Sequence, residues 1–428
     1  MIKDTKLLIL IIIKINKNIM IKLSNFPFKT LKTRPKISDN ISTSILLQAG
    51  FIRQTMAWVY NYTTFGLKVL RNIENIVREE MENYWASEIL MSSLSPKENW
   101  IKTWRWNSID VLFKLPSGSE GKEYWLNSTH EEIVTPLMQE FLNSYKDSWT
   151  CVYQIQNKFR NEKRAKSGLL RGREFLMKDA YSFHTSDEEF EEYYEGMKKV
   201  YMKIFDRLWL LSDTYITLAD GWDFTDKYSH EFQVVLPIWE DNIYICDSCG
   251  TSHNEEVVDL ENWFKCTKCS KTEYRIEKAS EVWNIFPLLT KFSKPFWVKM
   301  TWEDNKEIEA LMWCYGIWIS RLMWVIAEYN MTEKGIAWPE SIAPADYYII
   351  VIGEENIEKS MELAEKLECK WKSVILDDRM WRKIWFGQKA WDCELFWISR
   401  RIVISSKTLE QWGFEFTKIW EESEIIKF

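Results

Sequence analysis

Apolar residues recur at helical spacing through "LKVLRNIENIVREEM", Leu67 to Met81, the pattern of a helix with one buried face. The same reading extends back to about Ser38, so the first ordered stretch is predicted helical from there to Met81. Residues 86 to 115 read as strand and loop. In "THEEIVTPLMQEFLNSY" carboxylates follow Thr129, which predicts a helix with Thr129 as its N-cap. "CVYQIQNKFRNE" alternates as a strand does, and "GREFLMKDAYSFH" reads as its antiparallel partner across the basic loop "KRAKSGLLR". "SDEEFEEYYEGMKKVYMKIFDRL" is a long helix with Ser186 as N-cap. After the Pro-punctuated "WPESIAP" the pattern changes. "DYYIIVIG", a helix at 355 to 368, "KSVILDD" and "RRIVISS" alternate strand and helix, predicting a small α/β domain.

Length and composition bound this picture. With 428 residues, two or three domains are expected. The net charge of −7 leaves no basic surface to dominate, so nucleic-acid contact requires a local patch. "LLILIII", Leu7 to Ile13, is too short to span a bilayer and lacks a small-residue cleavage site. Residues 1–19 therefore read as an over-extended start, with Met20 the initiator. Eight Cys without a disulfide framework point to the reducing cytoplasm.

The aromatic content is anomalous: 25 Trp stand beside 14 Gly. Several Trp sit in polar, turn-like contexts such as "ADGWDFTDK", "ECKWKS" and "QKAWDCE", where Gly, Asn or Asp ordinarily supplies a positive φ.

Four constellations carry chemistry. "FRNE", Phe159 to Glu162, and "RGREF", Arg171 to Phe175, place Arg160, Arg171, Glu162 and Phe175 on neighbouring strands; guanidinium forks suit phosphate and a Phe can stack a base. A solvated charged hairpin explains that spacing equally well. "STHEE" offers Thr129, His130, Glu131 and Glu132 at a helix start, where helix capping is the competing explanation. His230 in "YSHEFQV" is a lone His, by itself more often structural than catalytic. Cys246-x-x-Cys249, sixteen residues, then Cys266-x-x-Cys269 has the spacing of a four-thiolate zinc ribbon.

Taken together, "STHEEIVT", "VYQIQNKFRNE", "REFLMKDAYSFH", "SHEFQV", "EVWNIF", "MWCYGIWISR" and "GIAWPESIAP" resemble the prokaryotic-type prolyl-tRNA synthetases, class II enzymes, from about Ser38 to the C-terminus. "FRNE…RGREF" looks like class II motif 2 and "YGIWISR" like motif 3. The resemblance implies an α+β fold, an antiparallel class II sheet flanked by helices. It divides the chain into a catalytic domain at 20–340, with a zinc-ribbon-like insert at 244–278, and an α/β anticodon-binding domain at 343–428. It implies ATP-dependent ligation of L-proline to tRNA(Pro) through prolyl-adenylate, by a homodimer without membrane association. Arg160 and Arg321 would be catalytic; Arg160, Glu162, Arg171, Phe175, Gln233 and Arg321 would bind ATP with Mg²⁺. Thr129, Glu131, Asp179, Tyr181, His230 and Cys314 would line the proline pocket, and Cys246, Cys249, Cys266 and Cys269 would hold a structural Zn²⁺.

Departures from the family pattern matter. Ser92 stands where motif 1 carries a Pro, and Thr225 and Asp226 replace a Gly pair before "SHEF". Too few residues lie between motifs 2 and 3 for the large editing domain of many bacterial members. Trp stands where the family carries Gly at Trp58, Trp85, Trp104, Trp209, Trp222, Trp239, Trp283, Trp313, Trp318 and Trp397. At Trp100, Trp106 and Trp338 the family carries Trp as well. One residue type exchanged for one other implies a gene that uses UGA for Gly, translated with a table that reads UGA as Trp. Two rivals stay open: a class IIa synthetase for threonine, glycine or histidine, and an inactive synthetase-like tRNA-binding protein.

Overall fold

The computed structural model describes residues 20–36, 40–115, 122–163, 168–221, 224–225, 229–238, 241–259, 264–380, 384–419 and 421–428. Residues 1–19, Asp226, Trp222, Trp239 and part of the basic loop lie outside them.

A strand at Ile21–Lys22 (β1) opens the described chain, followed by helices Ile41–Ala49 (α1) and Thr64–Asn83 (α2). The predicted unbroken helix is interrupted: Ile52–Met56 and Val59–Tyr62 pair as an antiparallel hairpin through Ala57 and Trp58. Helix α2 buries Val69, Ile73, Ile76 and Val77 along one stripe, as its periodicity requires. Strand Ser87–Glu88 (β2) and a six-residue helix, Lys97–Lys102 (α3), follow, the helix falling where strand and loop were expected. Helix Glu131–Gln139 (α4) is preceded by His130 rather than Thr129 as N-cap; the Thr129 hydroxyl instead donates to the Glu131 carboxylate.

The hairpin of Thr150–Phe159 (β3) and Glu174–His184 (β4) forms as read, pairing Lys158 with Phe175 and Gln154 with Asp179. Helix Asp187–Arg207 (α5) starts as predicted, with the Glu189 N–H donating to the Ser186 side chain. Thr214–Ala219 (β5), Ser229–Val235 (β6), Asp241–Cys246 (β7), Ser252–Asn254 (β8), Tyr274–Leu289 (β9) and Leu311–Trp318 (β10) complete a largely antiparallel sheet, in the order β6-β5-β8-β7-β9-β10-β4-β3-β2. Helix Ile319–Tyr329 (α6) follows β10 directly and is buried along most of its length. This is the α+β architecture expected, helices packed on an antiparallel sheet. No helix among the described residues is long and apolar enough to cross a membrane.

Tyr347–Val351 (β11), helix Ile357–Glu368 (α7), Val374–Asp377 (β12), helix Phe386–Phe396 (α8) and Arg400–Ile404 (β13) make the predicted α/β alternation, with β11 parallel to both β12 and β13. Strand β1, from the far N-terminus, pairs parallel to β12, so the chain's beginning is stitched into its C-terminal sheet.

Backbone conformation sorts the Trp residues. Trp58, Trp85, Trp104, Trp149, Trp209, Trp297, Trp371, Trp397 and Trp412 all have φ between 55° and 68°. That left-handed region costs a residue with a Cβ roughly 1–2 kcal/mol. Six of them end helical turns in the same way. At Trp85 the N–H donates to Glu82 O (3.0 Å) while the next N–H reaches back to Met81 O (3.1 Å). Trp104, Trp209, Trp297, Trp371 and Trp397 repeat this paired closure. It is the Schellman motif, whose left-handed position is normally Gly. Gly50 closes α1 by the same two bonds, at φ 77°.

Candidate active site

Strand parity builds the site. On β10, Cys314, Gly316 and Trp318 point to one sheet face, and Tyr181, Asp179 and Met177 of β4 lie beside them in register. Lys158 and Gln154 of β3 continue that face. The opposite face, carrying Tyr315 and Ile317, is sealed in the main core under α5 and α6.

At one end of the open face stand two guanidiniums. Arg160 leaves β3 with its head 5.3 Å from the Phe175 ring centroid and 5.8 Å from the Trp318 ring. Arg321, in the first turn of α6, donates to Leu170 O (2.8 Å) and Glu281 O (2.6 Å), with its head 4.3 Å from the Trp318 ring. Burial, and next the charge of Arg321, push the Arg160 pKa down to about 10; it stays protonated at neutral pH, but an anion between the two heads would relieve both costs. The Trp318 indole packs with Phe175 and Met177, within reach of both cations. Glu162 and Arg171 lie 3.6 Å apart just outside. Gln233, on β6 opposite Glu281, donates to Glu231 (2.8 Å) and Asp241 (3.0 Å).

At the other end lies a buried polar cluster. Glu131 is fully buried; the Cys314 thiol donates to it at 3.3 Å and Arg105 is 3.6 Å away. Asp179 accepts from Gln154 (3.1 Å) and Tyr181 (3.0 Å) and pairs with Lys158 at 2.6 Å. Burial alone would raise its pKa, but Lys158 and His130 outweigh that, and the net shift is downward. Thr129 is bonded to Glu131 as above. Arg160 joins the two ends: its head reaches the carbonyl of Ser128, beside Thr129, at 3.4 Å.

The structure thus gathers Arg160, Arg321, Phe175, Glu162 and Arg171 at the cationic end, and Thr129, Glu131, Asp179, Tyr181 and Cys314 at the buried end. His230 is not brought to either. On β6 it shares a face with Phe232, against α5, 5.2 Å from the Tyr194 ring, while Glu231 and Gln233 point the other way. Burial, and next Lys198, push its pKa down to about 4, so it is neutral. Sequence reasoning missed Lys158, Arg105 and Glu281. A Lys on the inward face of "CVYQIQNKF" was the available signal for the first; nothing local marks the other two.

The four ribbon thiols lie within 4.8 Å of one another, with Cys246–Cys269 at 3.5 Å and Cys249–Cys266 at 3.6 Å. All eight cysteines are free thiols. Tetrahedral Zn–S bonds of about 2.3 Å set sulfurs roughly 3.8 Å apart, so the quartet fits the ion. Two matching turns present it: Gly250 N–H donates to Cys246 O and Ser270 N–H to Cys266 O, both at 2.8 Å.

Comparisons with known proteins show the family and the fold. Residues 113–330 match the model of the tRNA synthetase class II core domain (G, H, P, S and T). A proline–tRNA ligase of Wolbachia sp. subsp. Drosophila simulans is 34% identical over 404 residues, covering 91% of this chain and 93% of its own. One from Sulfurihydrogenibium sp. is 30% identical over 544 aligned residues, covering 92% and 95%. That alignment exceeds this chain by 116 positions (544 minus 428), so at least that much of the relative has no counterpart here. Among solved structures, Giardia lamblia prolyl-tRNA synthetase in complex with prolyl-adenylate superposes with a TM-score of 0.72 at 20% identity, covering 90% of this chain and 74% of that one. This chain belongs to the proline–tRNA ligases, built on the class II synthetase core.

Proposed function

We propose that this chain joins L-proline to ATP, giving prolyl-adenylate and pyrophosphate, and then passes the prolyl group to the terminal ribose of tRNA(Pro). The observation that carries this reading is the Arg160 guanidinium beside Phe175, sharing the Trp318 ring with Arg321 and reaching the Ser128 carbonyl next to the buried carboxylates. Glu131 and Asp179 suit a small ammonium group whose carboxylate points toward Arg160. A proline carboxylate oxygen attacks the α-phosphorus and pyrophosphate leaves; the tRNA hydroxyl then attacks the prolyl carbonyl carbon and AMP leaves. Arg160 holds the α-phosphate and the proline carboxylate, where charge builds in the transition state. Arg321 takes the γ-phosphate, Phe175 stacks adenine, and Glu162 meets its amino group. Mg²⁺ arrives with ATP as part of the substrate. The rate comes from positioning and fixed charge, without a covalent enzyme intermediate.

Zinc held by Cys246, Cys249, Cys266 and Cys269 would tie the insert to the ends of β7 and β9, a structural role with no open position for chemistry. Dimerisation is supported by Leu90 and Leu94, 77% and 48% exposed beside the edge strand β2; sedimentation at micromolar concentration tests it.

The deciding assay is amino-acid-dependent ATP–pyrophosphate exchange. Proline drives exchange, and Arg160→Ala and Arg321→Ala abolish it. Exchange driven by threonine, glycine or histidine instead would overturn the assignment. One observation favours the inactive reading for the literal sequence: the Trp318 indole lies between the two guanidiniums.

A further inference from the structure

The described Trp residues fall into two populations. Trp100 is fully buried, donates Nε1–H to Ser95 Oγ at 2.8 Å and stacks on Trp125. Trp106 meets Trp125 edge-on at 4.4 Å, and Trp338 packs on Phe51 at 5.6 Å. Each of these indoles is used. Against them stand nine Trp at positive φ, out of twelve non-Gly residues of that kind among the described residues. Trp85 and Trp104 are 89% exposed, so their indoles pack on little of the fold they close. A side chain selected for packing does not collect at helix C-caps, and a residue selected for C-caps has no Cβ.

We infer that the protein made in its own cell carries glycine at Trp58, Trp85, Trp104, Trp149, Trp209, Trp297, Trp371, Trp397 and Trp412, and at Trp318, through a UGA codon read there as glycine. Trp318 joins this set for a different reason. Its indole occupies the space between Arg160 and Arg321 on the Phe175 side. Two residues earlier, a Cβ at Gly316 would meet the flexible tip of Met177 at 2.5 Å, which would have to move aside. With glycine at 318 the ring that contacts both cations and packs on Phe175 is removed, which opens room there for a nucleotide's phosphates. Trp313 carries neither mark, being sandwiched between Phe190 (4.3 Å) and Tyr194 (4.6 Å) without a positive φ, so its assignment rests on the sequence pattern alone.

The statement about residue 318 rests on the proposed ATP site, whereas the C-cap argument uses backbone geometry alone. The test is peptide mass spectrometry of the protein from its own cells, beside the gene sequence. Glycine encoded by UGA is expected at the ten positions, with tryptophan encoded by UGG at Trp100, Trp106 and Trp338. Tryptophan in the peptides spanning Trp85, Trp104 and Trp209 would overturn the inference, whatever the ligase assay reads. Tryptophan at 318 alone would remove only the statement about residue 318, and glycine at 318 without proline-driven exchange would sink the proposed function but leave the decoding inference intact.

Discussion

Replacing Trp85, Trp104, Trp209, Trp297, Trp371 and Trp412 together by Gly should stabilise the literal Trp protein. Each lies at φ 55–63° and is 56–89% exposed. Relief of the left-handed conformation is worth roughly 1–2 kcal/mol per site. Glycine's extra freedom in the unfolded chain takes back about 0.5–1. The net is roughly 0.5–1 kcal/mol each, or about 3–6 for the six, a large share of the 5–15 kcal/mol that holds a typical domain together. Trp209 and Trp371 keep some contact and set the lower end. Urea unfolding followed by far-ultraviolet circular dichroism is the assay, because indole fluorescence changes with the substitutions themselves. Trp85, Trp104, Trp209 and Trp297 report on the catalytic part, Trp371 and Trp412 on the C-terminal sheet, so two transitions are compared separately. Midpoints should rise at unchanged slope. Trp100→Gly, the packed control, should lose about 3–5 kcal/mol. A midpoint that stays or falls in the sixfold variant would refute the strain argument, since the exposed indoles would then be contributing rather than costing.

At the proposed nucleotide site, Trp318→Gly should bind ATP more tightly than the literal protein in calorimetry; equal affinity would mean the indole blocks nothing. Chelation of the zinc proposed for the ribbon should speed hydrogen exchange in the segment from Cys246 to Tyr274 and leave β4 and β10 protected; uniform loss of protection would show the insert to be integral to the sheet. Burial as the leading cause pushes His130, His184 and His230 each to about 4, below the ordinary value of 6.5. The unfolded chain therefore takes up protons first, so their contribution to stability is complete above pH 6.5 and drains away as pH falls toward 4. For each the loss is on the order of 3 kcal/mol; a melting temperature flat over that window would contradict it.

Much of the fold could be read because burial imposes period. The β3–β4 hairpin, the Ser186 cap on α5 and the Tyr347–Ile404 alternation all follow from residues that must face a core. The errors cluster where Trp stands in a turn. "FIRQTMAWVYNY" looked helical because the turn at Ala57–Trp58 carries no Gly, Asn or Asp; the hairpin there closes at Met56–Val59 around φ 67°. The ends of α2, α5, α7 and α8 lacked their usual Gly for the same reason, Trp85, Trp209, Trp371 and Trp397 occupying the position.

The site was legible in its residue types but not in its facing. Arg160, Phe175, Asp179, Tyr181 and Cys314 meet because β3, β4 and β10 pair in a register that puts them on one side. On β6 the same rule excludes His230. Adjacent residues of a strand point to opposite faces, so "SHEF" cannot send both His230 and Glu231 to the pocket. Phe232 is packed against Tyr201 and Trp283 in the core, which fixes His230 on that side and gives Glu231 and Gln233 to the other. The polar lining that results is Glu231, which accepts from Gln233, and Glu281, which pairs with Arg321. A long-range pairing decided this: Gln233 lies opposite Glu281, nearly fifty residues away, across a register shift at Phe232/Gln233 that no local pattern announces.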